Sequence, residues 1–118
     1  SEGDYRVTVL PDWEPSEKFD FVHSMEFLYY LHDPQSMLKQ LHDNWMNSGG
    51  MLVAGVDHYL ENEDSLSWPE ALNVHMTTLS MEDWKTAMIE AGFRDVELHQ
   101  VAAKDSFIGT LVMCGKKA

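Results

Sequence analysis

Phe19-Asp-Phe-Val-His-Ser-Met-Glu-Phe-Leu-Tyr-Tyr-Leu-His-Asp33 is the stretch on which the fold turns. Its first part, Phe19 to Ser24, is short, mostly apolar, and rich in aromatic and β-branched residues, which is how a buried parallel strand reads. Met25, Phe27, Leu28, Tyr30 and Leu31 then follow with a spacing that suits a helical turn better than a strand. The strand is therefore expected to end near Ser24, with His23, Ser24 and Glu26 clustered at its carboxyl end. In open parallel sheets that end is where ligands sit. Asp33-Pro34 has the form of a helix start, and Gly49-Gly50 leads into a second apolar strand. Strand, polar elbow, helix, Gly-Gly and strand make one βαβ unit with a site at its mouth.

The remaining segments extend this unit. Tyr5 to Leu10 alternates polar and apolar residues and predicts a strand. Pro11 to Lys18, broken by two prolines and rich in acids, predicts a loop. After Asp33 and Pro34, Met37, Leu38, Leu41 and Trp45 give one apolar helical face. Asn47 to Gly50 is expected to end that helix, with glycine available for a left-handed cap. Met51 to Val56 is the third predicted strand. Asp57 to Met76 is polar and reads as a loop with one helical turn around Trp68 to Val74. Ser80 and Asp83 have the spacing of a capping box, with Asp in place of the usual Glu or Gln. Trp84, Ala87, Met88 and Ala91 form the buried stripe of the next helix, which Gly92 stops. Phe93 to Ala103 and Phe107 to Gly115 are the last two strand regions, and their short link implies an antiparallel pair.

Composition bounds the function. The 118 residues suffice for a single domain with one core, spanning 1–118. The net charge of −12 argues against nucleic acid as a partner, because phosphate binding needs clustered Lys and Arg. It is compatible with a neutral or cationic small molecule. The single cysteine, Cys114, permits no internal disulfide and points to a reducing compartment, here the cytoplasm. No apolar run approaches the roughly 18 residues of a membrane span, so no membrane partner is expected. Residues 1–4 carry no signal-peptide pattern.

This order of elements resembles the C-terminal portion of a class I S-adenosylmethionine-dependent methyltransferase. Phe19-Asp-Phe-Val-His-Ser matches the fourth family strand, and Gly49-Gly-Met-Leu-Val-Ala the fifth. Leu79-Ser-Met-Glu-Asp-Trp and Glu90-Ala-Gly-Phe-Arg-Asp-Val-Glu precede the sixth, and Ile108-Gly-Thr-Leu-Val-Met-Cys-Gly-Lys-Lys matches the seventh. Within the superfamily, Phe19 to Asp33 is most similar to the histamine N-methyltransferase group, which has an aromatic-Asp-Phe-Ile/Val-His run and a Leu-Tyr-Tyr in the same register. The resemblance implies an α/β fold: a partial Rossmann-like sheet of the third to seventh family strands with a C-terminal antiparallel pair, lacking the first two strands. The family's glycine-rich cofactor loop and its ribose-binding acid have no counterpart among these residues. The chain is thus expected to correspond to roughly the second half of a methyltransferase, as a truncated chain, a proteolytic remnant or a natural half-protein.

Methyl transfer from a sulfonium is an in-line displacement. It needs a cofactor cradle, a positioned acceptor and, for some acceptors, a base. By resemblance, Asp12 and Trp13 are the adenine contacts, against the simpler reading of plain loop residues. His23, Ser24 and Met25 pass the methionine end of S-adenosylmethionine, with a half-buried, hydrogen-bonded imidazole as the alternative for His23. Glu26 matches a position where the histamine group carries a substrate-touching amide. A carboxylate there can pair with an ammonium or take its proton, so Glu26 is both the catalytic and a substrate-binding candidate; its alternative is a solvent-facing acid favoured by a helix dipole. Tyr30 matches an aromatic of the amine pocket, with core packing as its alternative. Asp57 and His58 end the next strand and face the same mouth. Trp68 lies in the loop that covers the acceptor in the family, where an aromatic wall suits a cation. The six histidines and one cysteine show no metal-ligand spacing. No G-x-S-x-G elbow supports a nucleophilic triad.

The implied activity is methyl transfer from S-adenosylmethionine to a small molecule such as an amine, in the parent protein. The rival reading is a truncated, non-catalytic domain that acts as a self-associating or partner-binding module. Without the family's first strand, the Phe19 to Ser24 strand would bare its hydrogen-bonding edge, so a homo-oligomer is expected.

Overall fold

A computed structural model describes residues 15–105 and 107–118. The predicted Tyr5 to Leu10 strand, with Asp12 and Trp13, lies outside the described residues. The first strand, β1, is Phe19–Met25. A 3₁₀ turn at Leu28–Tyr30 follows, so the predicted helical turn is a tight one. Helix α1 is Pro34–Gln40, opened by Asp33, whose side chain accepts the Ser36 N–H at 3.0 Å. Proline at the first helical position loses no bond there and has φ preset for the helix.

Helix α1 widens into a π-type turn over Leu41–Trp45. Strand β2, Met46–Val56, begins at once. This corrects the expected boundary. Asn47 to Gly50 is a bulged start of the strand, not a helix cap, and a register shift between Phe19 and Phe21 absorbs the extra residues. Glycine is required twice here. Gly49 has φ of 87°, and its N–H donates to the Lys117 carbonyl at 2.7 Å. At Gly50 a Cβ would stand 2.9 Å from the Asn47 carbonyl oxygen and 3.0 Å from that of Asp20.

A 3₁₀ turn at Glu63–Ser67 runs into α2, Trp68–Leu72, and then comes α3, Met81–Ala91. Ser80 and Asp83 form the reciprocal capping box, and Gly92 ends α3 in the left-handed region at φ 111°. Strands β3, Arg94–Val101, and β4, Thr110–Lys116, close the chain.

The described strands form one sheet in the order β1-β2-β4-β3. β1 runs parallel to β2, while β4 is antiparallel to both β2 and β3. This is a mixed α/β sheet with the expected C-terminal antiparallel pair. One face carries Leu52, Ala54, Val56, Leu111 and Met113, all buried, under Met37, Leu38 and Leu41 on the α1 side and Trp84, Ala87, Met88 and Ala91 of α3. Gly115 admits this layer: its missing Cβ leaves room for Met88 and Phe93.

The opposite face differs from the expectation of a strand buried on both sides. Alternation puts Phe21, His23 and Met25 there, beside Met51, Val53, Val112 and Cys114. Phe21 is 56% exposed and Met25 41%, and Val22 is the one buried residue of β1. Among the described residues β1 pairs on one side only. No helix among them is long and apolar enough to cross a membrane.

Candidate functional site

The carboxyl ends of β1 and β2 lie side by side, because the parallel register sets Ser24 against Ala54 and Met25 against Gly55. Glu26 is the residue that turns the chain out of β1. Its φ of 54° is unfavourable for a side chain, costing about 1–2 kcal/mol. Its N–H is held by the Gly55 carbonyl at 2.8 Å. A non-glycine residue in this region needs such fixing by its surroundings.

The turn swings the Glu26 carboxylate over the end of β2. There Oε1 accepts two hydrogen bonds, from the Tyr29 hydroxyl at 2.9 Å and from the Asp57 N–H at 3.0 Å. Burial lifts the Glu26 carboxyl above the usual carboxylate range, the Tyr29 bond draws it back, and the Asp57 charge raises it again. Burial and the bond to Glu26 push the Tyr29 phenol well above its ordinary value. Asp57 is braced in turn: Oδ1 accepts the Thr110 hydroxyl at 2.6 Å from β4, and its carbonyl accepts Asn62 Nδ2 at 2.8 Å.

An aromatic chain borders the carboxylates. Tyr30 packs on Tyr29 with ring centroids 4.6 Å apart, Tyr29 lies 5.7 Å from the His58 ring, and His58 lies 6.3 Å from that of Trp68. Tyr30 is 43% exposed and Trp68 half-buried, so these two present aromatic surface to solvent. His58 does not: it is fully buried. Nδ1 is 3.0 Å from the Ser65 carbonyl, which can only accept, so Nδ1 carries the proton. Nε2, 2.7 Å from Thr78 Oγ1, then accepts from that hydroxyl. Both ring nitrogens are engaged, and burial pushes the imidazole below its ordinary pKa.

The structure therefore brings Glu26 and Asp57 into direct contact and sets Tyr30, His58 and Trp68 along one aromatic row. It keeps the other candidates apart from them. His23 is exposed on the bare sheet face, its ring stacked on Phe21 at 6.4 Å. Ser24 points to the helix-covered face, where its buried hydroxyl has no hydrogen-bond partner among the described residues. Met25 lies over Gly55, where a Cβ would stand 2.6 Å from its sulfur. Reading the sequence missed Tyr29 and Thr110. The first is one helical turn beyond Glu26, and the second faces the end of β2 only through the antiparallel register of β4.

Fit to S-adenosylmethionine can be judged from these side chains. The one glycine at the strand ends, Gly55, has its open space filled by Met25. Two grooves among the described residues, of about 320 and 350 Å³, run between α3 and β3 and between α1 and α3, the first reaching Leu111, the partner of Val56 at the end of β2. At this point the described residues do not fit the cofactor, because Met25 occupies the space beside Gly55. No three His, Cys, Asp or Glu among them gather as a metal site.

Comparison with known proteins gives the family. A family model described as a methyltransferase domain matches residues 6–98. No curated protein sequence matches the chain. Among solved structures, the complex of the Trm112 methyltransferase activator and a methyltransferase from Haloferax volcanii shows 24% identity and a TM-score of 0.72, over 84% of this chain and 54% of that one. A Thermotoga maritima SAM-dependent methyltransferase, described as a possible histamine N-methyltransferase, gives 20% identity and a TM-score of 0.74, over 89% of this chain and 58% of that one. N-methyltransferase NodS of Bradyrhizobium japonicum, bound to S-adenosyl-L-homocysteine, gives 19% and 0.61, over 94% and 52%. The chain spans little more than half the length of these proteins. With its fold shared by all three and most of its residues matched by the family model, the chain belongs to the methyltransferase domain family.

Proposed function

We propose that the chain forms the acceptor side of an S-adenosylmethionine-dependent methyltransferase that acts on a small molecule, an amine by the chemistry of the site. The observation that carries the reading is Glu26, a carboxylate with a left-handed backbone, held at the parallel strand ends beside exposed aromatic surface. A carboxylate and aromatic faces together suit an ammonium group. In this reading Glu26 pairs with the acceptor or takes its proton, Tyr30, Asp57 and Trp68 border it, and His58 supports the loop from below. Asp12, Trp13, His23, Ser24 and Met25 belong to the cofactor side, and a cytoplasmic setting goes with the lone Cys114. The test is transfer of labelled methyl from S-adenosylmethionine to a panel of small amines, by a polypeptide carrying residues 1–118 together with a glycine-rich cofactor loop. Amine methylation that Glu26→Gln weakens through KM supports the reading. Methylation of hydroxyl or carboxyl acceptors alone overturns it.

A second reading, a self-associating module without catalysis, is favoured by one observation: β1 pairs on one side only among the described residues, with Phe21 56% exposed. The methyl-transfer assay above separates the two: turnover supports the first, and its absence together with self-association in sedimentation supports the second.

A further inference from the structure

Tyr29 is 4% exposed, yet its hydroxyl reaches a partly buried carboxylate. It donates to Glu26 Oε1, the same oxygen that the Asp57 N–H engages. Among the described residues no donor engages Oε2. The carboxylate is thus held from one side, with one oxygen saturated and the other left to accept. Such asymmetry matters for recognition: a fixed acceptor selects a ligand that brings an N–H, whereas an aromatic surface accepts any cation.

The rest of the surroundings points the same way. Tyr29 cannot easily move, because its backbone carbonyl takes the Thr77 N–H at 2.7 Å and its ring lies between those of Tyr30 and His58. Asp57 cannot turn its side chain to take Oε1's donors, because Thr110 holds its Oδ1. Two donors on one oxygen also favour the ionised form of Glu26 against the burial that opposes it.

We propose that Tyr29 is a positioning residue that fixes Glu26 with Oε2 free, so that the site takes cations carrying an N–H, primary to tertiary ammonium, and discriminates against quaternary ones. This rests on the acceptor-side reading of Glu26. It adds a consequence: a fully methylated ammonium loses the hydrogen bond and keeps only the charge and the aromatic contact.

The experiment uses the 118-residue chain and needs no turnover. The Glu26 side-chain carboxyl is followed by carbon NMR against pH, in the wild type and in Tyr29→Phe. Phenethylammonium and its N,N,N-trimethyl analogue are the probes. Removing the hydroxyl is expected to raise the pH at which Glu26 titrates, and to weaken phenethylammonium about five-fold. The trimethyl analogue is expected to bind more weakly than phenethylammonium to the wild type and equally to both proteins. An unchanged Glu26 titration in a folded Tyr29→Phe overturns the positioning role. A shifted titration with no phenethylammonium binding to the wild type overturns the acceptor reading and the selectivity, while the positioning stands. Equal affinity for both probes overturns the selectivity alone. Should Tyr29→Phe fail to fold, the wild-type Tyr29 hydroxyl proton gives the same answer: protected from exchange and following the Glu26 titration, it supports the bond; rapid exchange overturns it.

Discussion

His58 donates its Nδ1 proton to the carbonyl of Ser65 across 3.0 Å of protein interior. The bond ties the end of β2 to the turn before α2, and the Thr78 hydroxyl on Nε2 ties in the segment before α3. The segment between β2 and α3 is therefore held by one neutral imidazole. Around it, the Leu60 N–H donates to the Leu79 carbonyl at 2.9 Å, and Ser65 Oγ donates to the Asn62 carbonyl at 2.7 Å.

The first prediction is the pH dependence of this brace. Burial lowers the His58 pKa in the folded state, so the unfolded chain binds the proton more readily. The stability this residue confers is fully present above the unfolded value of about 6.5 and is lost as pH falls through the lower folded value. In a histidine NMR titration the His58 ring is expected to remain neutral as pH falls below the unfolded value of about 6.5. Denaturant melts from pH 7.5 to 5 should show the loss. A His58 ring that charges at or above the unfolded value would remove the basis for it.

A second prediction contrasts two glycines. At Gly115 a Cβ would lie 2.8 Å from Met88 Cε and 2.9 Å from Phe93 Cβ, the latter close to the backbone and unable to give. Gly115→Ala should destabilise by about 1–3 kcal/mol, the usual range for overpacking. At Gly55 the obstacle is the mobile end of Met25, 41% exposed, so Gly55→Ala should cost clearly less. Urea midpoints that rank the two the other way would contradict this packing account.

These details show where the sequence is legible. The stripe Trp84, Ala87, Met88 and Ala91 and its Ser80 cap are periodic and local, and all four are buried as the period requires. Met37, Leu38, Leu41 and Trp45 are buried too, although the helix beneath the last two has become a π-type turn, which apolar spacing alone does not reveal. Asn47 to Gly50 reads as a helix end because Gly-Gly serves caps and bulges alike; the carbonyls of Asp20 and Lys117 decide, and both are distant in sequence. For the site, Glu26 and Asp57 are legible as polar residues ending apolar strands. That their contact runs through one carboxylate oxygen, Tyr29 and a backbone N–H depends on the left-handed turn at Glu26, which no propensity of Glu favours.

A third prediction tests the local part directly. Ser80 Oγ accepts the Asp83 N–H at 3.0 Å, and the Asp83 carboxylate accepts the Ser80 N–H at 3.4 Å. Ser80→Ala removes the shorter bond and should cost about 1 kcal/mol. Asp83→Ala removes the longer, weaker bond and should cost less. Thermal melts on the two variants check the order.

The fourth concerns the cofactor. The 118-residue chain is expected to bind S-adenosylmethionine very weakly or not at all, because Met25 fills the space at Gly55 and no glycine-rich loop joins a strand to a helix in the sequence. Isothermal calorimetry decides: micromolar affinity would show that the described strand ends, with residues 1–14, suffice for a cradle.

The last prediction concerns assembly. Among the described residues β1 pairs only with β2, and none of them takes up the N–H and C=O groups on its far side. Phe21, 56% exposed, and Met25, 41% exposed, stand on the bare face of the same strand. A hydrophobic free edge is a template for further pairing. A two-fold axis through that edge would set β1 antiparallel to its copy and continue the sheet across both chains, bringing Phe21 and Met25 of each near those of the other. The contact would be modest. A single strand edge about 20 Å long buries much less than the roughly 800 Å² that a standard interface buries on each partner. The net charge of −12 on each chain opposes the approach at low salt. Sedimentation at low micromolar concentration should therefore show a monomer–dimer exchange that strengthens with salt, and Phe21→Lys, which places a charge on the edge, should abolish it. A single monomeric species at every salt concentration, with the β1 amides protected from exchange, would mean that the edge is already paired within one chain.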